Sequence, residues 1–248
     1  MAAIHVEYAG EHGPRLILVH GSLAPGWGTF EGQRQLAERY RLVVPHRPGY
    51  PPNPASDRID FDSQADVIAE LIEPGTHLIG HSYGGVISML AATRAGDRVA
   101  TLTLSEPPAF GVARGDPAVE AFIAERGGIA NQEEEPRDFL VRFVAAVASS
   151  FVPPDPMPPS LEAAVRATMA EPQPWEAEIS LAALQALRIP VLVISGGHHV
   201  AFDAVCDVIE RELDAERAVL TGAAHSIPRL GAAYNERLSA FVDAHQPR

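Results

Sequence analysis

The chain has no lysine: all 19 of its basic residues are arginine. That excludes a Schiff-base lysine, and with it pyridoxal-phosphate chemistry of the usual kind, and it excludes the lysine of a phosphate-binding P-loop. Cysteine is nearly absent too. Cys206 stands alone, so neither an internal disulfide nor a cysteine zinc site can form. Positive charge is scarce: 19 basic residues face 32 acidic ones, for a net charge of −13. Nucleic acid and anionic membrane both reward clustered positive charge, so neither is an expected partner. No apolar run approaches a membrane span, and the segment before Arg15 has no stretch of the signal-peptide kind; a cytoplasmic protein is expected. Aromatic residues, at 6%, give no sign of a platform for stacking sugars or bases.

What remains is ordinary globular composition, 46% hydrophobic and 21% charged over 248 residues, enough for a sizeable core. Short β-rich runs alternate with helical patterns. Strands are expected at 15–19, 41–44, 76–79 and 99–104, with helices at 33–39, 61–71 and 85–95 between them. A closing strand-helix-strand-helix run places strands at 191–194 and 217–220 and helices at about 202–213 and 232–244. This alternation predicts βαβ units: an α/β fold with a mostly parallel sheet and helices on both faces. The stretch from 108 to 188 reads differently. Phe139, Leu140, Phe143, Val144 and Val147 recur at helical spacing, as do Leu161, Val165 and Met169, and no strand is expected among them. The expected organisation is a core domain of residues 1–107 and 189–248 interrupted by a helical insertion at 108–188.

Chemistry concentrates at Gly80-His81-Ser82-Tyr83-Gly84, a G-x-S-x-G pattern followed by Gly85. A strand that turns sharply into a helix holds its serine in a strained conformation, and small residues are needed where the two backbones approach. Ser82 is therefore the expected nucleophile. It needs a base, and ten histidines are available. His225 follows the last strand and precedes the last helix, the end of a parallel sheet where sites are built. His20 and His81 sit in glycine turns and are read as shaping their loops. His198 and His199 are adjacent and point apart, which disfavours a shared metal.

The elbow, the late histidine, the strand ending in His20-Gly21 and the helical insertion together resemble the α/β-hydrolase fold over essentially the whole chain. The resemblance implies an oxyanion hole from the backbone amides of Ser22, with Leu23 as a substitute, and Tyr83, and it implies no metal or organic cofactor. The third triad member departs from the family. The usual acid lies in a segment resembling P-V-L-V-x-x-G-x-x-D, but here His199 occupies that place. Two histidines cannot orient each other as a carboxylate orients one. Asp203, four residues on, could reach back, although it also suits the first turn of a helix. Glu106 ends the strand at 99–104, and some haloalkane dehalogenases and the zearalenone-type lactone hydrolases draw their acid from that strand end. Glu106 is the expected acid and Asp203 the alternative. Trp27 and Phe30 are the expected pocket residues, with Trp175 behind them; Phe139, Phe143 and Val147 are read as core.

The function implied is hydrolysis of a carboxylic ester or lactone of a small, largely apolar molecule through Ser82, His225 and Glu106. Cleavage of a C–C bond in a diketone-like substrate and a ligand-binding protein on the same fold are the alternatives. The expected partner is a small molecule, and the chain is a monomer or a homodimer.

Overall fold

The computed structural model describes residues 4–56, 59–126, 134–147 and 151–246. Seven strands form one sheet in the order β1-β3-β2-β4-β5-β6-β7. They are β1 (Val6–Ala9), β2 (Arg15–Val19), β3 (Arg41–Pro45), β4 (Thr76–His81), β5 (Val99–Ser105), β6 (Val191–Ser195) and β7 (Glu216–Val219). All pairings are parallel except β1 with β3, which is antiparallel. The expected strands are present, with ends shifted by one or two residues. β1 was not expected. It is an edge strand of four half-buried and exposed residues, too short and polar for a periodic signal.

The helices are α1 (Trp27–Phe30), α2 (Phe61–Leu71), α3 (Tyr83–Ala95), α4 (Pro117–Arg126), α5 (Pro136–Ala146), α6 (Pro159–Met169), α7 (Leu181–Ala186), α8 (Val200–Leu213) and α9 (Ala232–Ala244). The helix expected at 33–39 is a 3-10 helix, Glu31–Glu38. Strand side chains alternate between faces, and so does the core. Ile17, Val19, Leu78, Leu102 and Val193 pack on one face with residues of α2, α3 and α8. Leu16, Leu18, Ile79, Leu192 and Ile194 pack on the other with α1, the 3-10 helix and α9. Between β5 and β6 lie α4, α5, α6 and α7, and no strand occurs there among the described residues. Residues 127–133 and 148–150 of that stretch lie outside the described residues.

Candidate active site

The carboxyl ends of β4, β5 and β6 converge where the chain leaves the sheet. β4 ends at His81, and Ser82 turns into α3 with φ 52° and ψ −129°. That left-handed region is costly for a residue with a Cβ, by about 1–3 kcal/mol. The turn is held closed by Ser82 N donating to Ser105 O at 2.9 Å and Gly85 N donating to Ser82 O at 2.7 Å. A Cβ at Gly84 would stand 2.3 Å from the carbonyl oxygens of Val19 and His20, so the elbow tolerates only glycine there.

Ser82 Oγ and His225 Nε2 lie 2.8 Å apart, and His225 Nδ1 lies 3.0 Å from Glu106 Oε2. A carboxylate can only accept, so Nδ1 carries the proton and Nε2 is left to accept from the serine hydroxyl. Glu106 is fully buried and adopts φ 49° just past β5. Its other oxygen accepts from Gly196 N at 2.6 Å, and His198 Nδ1 approaches Oε2 at 3.5 Å. Burial pushes the Glu106 carboxyl up, but the facing imidazoles of His198 and His225 and the Gly196 amide outweigh it and hold the group down at about 2. The contact with Glu106 raises His198 above its ordinary value.

Asp203 lies elsewhere. It sits in the first turn of α8 and pairs with Arg217 at 3.3 Å. His199, at the family's acid position, caps α8 by accepting from Ala201 N at 3.2 Å. His81 donates through Nε2 to the His225 carbonyl at 2.8 Å, and burial lowers it to about 3, which keeps it neutral. Glu106, His198 and His225 each offer one donor atom within 4.8 Å of the others, as do His5, Glu7 and His46; either set could chelate a cation.

Ser82 and His225 open onto two cavities. The first, of about 100 Å³, is walled by aromatic side chains including Phe110, Phe139, Phe143, Trp175 and Phe202. The second, of about 170 Å³, is lined by Ser22, Thr29, His81, Ser226 and Arg229 among others. Trp27 and Phe30 line neither cavity. They are buried on the α9 side of the sheet, where Arg34 covers the Trp27 ring. Proximity in sequence to His20-Gly21 misled the expectation, because α1 carries both side chains down into the core. Phe139, Phe143 and Val147 pack in or against the core clusters, yet they also line the first cavity.

Ser22 borders both cavities and Tyr83 borders the first. Tyr83 opens α3, where an amide has no carbonyl one turn earlier to accept it. The Leu23 amide is occupied by Thr168 Oγ1 at 3.3 Å. Beneath this loop lies a second buried charge cluster that the sequence reading passed over. Arg47, fully buried, donates to the carbonyls of His20 and Gly21 at 2.9 Å each and to Gln64 and Glu171 at 2.5 Å each. Burial alone would lower the Arg47 guanidinium, and Glu171 more than offsets this. Glu171, just after α6, also accepts from Ser22 Oγ at 2.8 Å. His20 is locked as well: Nδ1 donates to Gly21 O at 2.6 Å and Nε2 accepts from Arg47 N at 2.9 Å. Nothing in the sequence pairs Arg47 with a glutamate 124 residues away.

A family model described as "Alpha/beta hydrolase family" matches residues 16–243. The chain belongs to the alpha/beta hydrolase family. Over 106 residues it is 33% identical to the pimeloyl-[acyl-carrier protein] methyl ester esterase of Chromobacterium violaceum, covering 41% of this chain and 39% of that protein. The same esterase of Methylococcus capsulatus is 29% identical over 146 residues, 55% of each chain. The chain thus spans 39% to 55% of the length of these curated relatives. Among solved structures, a lipase-esterase related protein from Clostridium acetobutylicum superposes with a TM-score of 0.72 at 17% identity, covering 97% of this chain and all of that one. Est816, described as an N-acyl homoserine lactone degrading enzyme, superposes with a TM-score of 0.67 at 21% identity, covering 96% of both chains. At these identities the superpositions show the fold. The chain is an alpha/beta hydrolase with esterase relatives, and no helix among the described residues is long and apolar enough to cross a membrane.

Proposed function

We propose that this alpha/beta hydrolase cleaves a carboxylic ester or lactone of a small molecule through an acyl-enzyme on Ser82. One observation carries the reading: the unbroken chain from Ser82 Oγ to His225 Nε2 at 2.8 Å and from His225 Nδ1 to Glu106 at 3.0 Å. His225 takes the hydroxyl proton as Ser82 attacks the carbonyl, and the backbone amides of Ser22 and Tyr83 stabilise the oxyanion. Glu106 fixes the imidazole tautomer and offsets the charge of the imidazolium. His225 then gives its proton to the leaving oxygen, and water releases the acyl group by the reverse route. No step needs a metal or organic cofactor. The relatives named as methyl ester esterases and the lactone-degrading structural neighbour are in keeping with this chemistry.

The insertion at 108–188 is then a cap. Its aromatic residues Phe110, Phe139, Phe143 and Trp175 wall the first cavity, supplying an apolar, water-poor pocket against Ser82.

Fluorophosphonate labelling with peptide mass spectrometry tests the assignment on wild type, Glu106→Ala and Asp203→Ala. Ser82 is expected to be modified rapidly in wild type and in Asp203→Ala. In Glu106→Ala the rate should fall by about 10²–10⁴-fold. Failure of folded wild type to label would overturn the acyl-enzyme mechanism. Slowing confined to Asp203→Ala would move the acid to the β6 side.

A further inference from the structure

The two cavities beside Ser82 differ in charge. Among the described residues, the only charged one lining the first is Glu171, whose carboxylate is held by Arg47 at 2.5 Å. Among the described residues, the only charged one lining the second is Arg229. Across the described chain, arginines are mostly tied to carboxylates: Arg34 to Glu31, Arg39 to Asp243, Arg217 to Asp203 and Arg237 to Glu216. Among the described residues no carboxylate pairs with Arg229. In a chain with a net charge of −13, an unneutralised guanidinium at the mouth of a site is a local reversal of sign.

The backbone that carries Arg229 is fixed. It belongs to the 3-10 helix Ile227–Leu230, one residue beyond His225, and its amide donates to Ser226 O at 2.9 Å. The neighbouring Pro228 carbonyl accepts from buried Gln33 Nε2 at 3.0 Å, and Gln33 also donates to Asn235 at 2.9 Å. Arg229 shares this cavity wall with His81, whose Nε2 holds the His225 carbonyl. Ser22, Thr29 and Ser226 add polar groups along the same wall.

We propose that the substrates are esters bearing a carboxylate, with the apolar half in the aromatic cavity and the carboxylate on Arg229. A guanidinium presents a planar fork that matches a carboxylate, and because Arg229 is exposed the pair would be modest in strength and sensitive to salt. This rests on the proposed esterase reading but can fail separately from it.

The test uses monomethyl adipate and its neutral counterpart, methyl 6-amino-6-oxohexanoate. Dissociation constants are measured by calorimetry on Ser82→Ala and on the Ser82→Ala, Arg229→Gln double variant; turnover of both esters is followed with wild type and Arg229→Gln. The acid should bind Ser82→Ala about three- to tenfold more tightly than the amide. Its advantage should shrink with added salt and vanish with Arg229→Gln. The ratio of kcat/KM for acid over amide should fall by the same factor in Arg229→Gln. Equal affinity for acid and amide, or an advantage that survives Arg229→Gln, would overturn the assignment even if both esters are hydrolysed. Ser82-independent turnover, or none, would instead sink the esterase reading, while the binding ratio would still decide the role of Arg229.

Discussion

Two buried glutamates stand on either side of Ser82, and their partners set them apart. The side chains of Glu106 and Glu171 are 0% and 3% exposed, and both belong to hydrogen-bonded charge clusters. Glu106 faces imidazoles, His225 at 3.0 Å and His198 at 3.5 Å, and an imidazole nitrogen can both accept and give up a proton. Glu171 faces the Arg47 guanidinium, which keeps its proton throughout. A carboxylate beside imidazole can respond to a charge that appears during a reaction. A carboxylate beside guanidinium can only hold things in place. What it holds is the loop bearing Ser22, through Ser22 Oγ on one side and the Arg47 contacts to His20 and Gly21 on the other. Burial and charge alone therefore do not tell the two glutamates apart; the chemistry of the partner does.

The largest expected effect would separate the two glutamates. Glu106→Gln keeps the shape but leaves His225 without a counter-charge, and turnover should fall by about 10³–10⁴-fold with the chain still folded. Glu171→Gln should lower turnover by less than about 10²-fold, since it loosens the loop bearing Ser22 without touching the imidazole. Comparable losses in the two variants, read as kcat on any accepted ester, would erase the distinction. The next effect is on stability. Arg47→Met or Glu171→Leu alone strands a buried charge and should cost about 3–5 kcal/mol in urea unfolding. The double variant should lose less than the sum of the two, by about 2–3 kcal/mol of coupling. Recovery stays incomplete because the His20, Gly21 and Gln64 oxygens lose their donor as well. Strict additivity would mean that Glu171 is not the main partner of Arg47.

Most of the sheet was legible because buried parallel strands advertise themselves as apolar runs, as in Arg15–Val19 and Val191–Ser195. The strand β1, half-buried at an edge, carries no such run. Ser82 and His225 were legible because an elbow constrains its glycines and a loop after a parallel strand constrains its histidine. Glu106 was legible from its place at a strand end and from the histidine that stands where the family's acid is expected. Glu171 was not legible at all. Its role depends on α6 packing over the loop that follows β2, a contact across 149 residues with no local pattern. The pocket failed for a related reason: nearness in sequence chose Trp27 and Phe30, while tertiary packing supplied Phe139 and Phe143.

A smaller effect distinguishes the buried histidines from the buried acid by pH. His77 lies inside β4, fully buried, with Nδ1 2.9 Å from Thr101 Oγ1, and burial lowers it to about 4. In the unfolded chain its pKa returns to about 6.5. Between those values the unfolded state takes up a proton that the folded state refuses, so stability falls as pH drops from about 6.5 to about 4. His20 and His81, also lowered chiefly by burial, add losses of the same sign. Glu106 acts in a lower window: its stabilising contribution is complete above the unfolded value of about 4.3 and is lost as pH falls toward about 2. His77→Gln should therefore flatten the unfolding free energy between about pH 6.5 and 4 by roughly 2 kcal/mol and leave the lower window alone. Glu106→Gln should flatten only the lower window. A His77→Gln profile parallel to wild type from neutrality down to pH 4 would mean that the folded state admits the proton at His77, and that acid sensitivity in this chain belongs to its carboxylates.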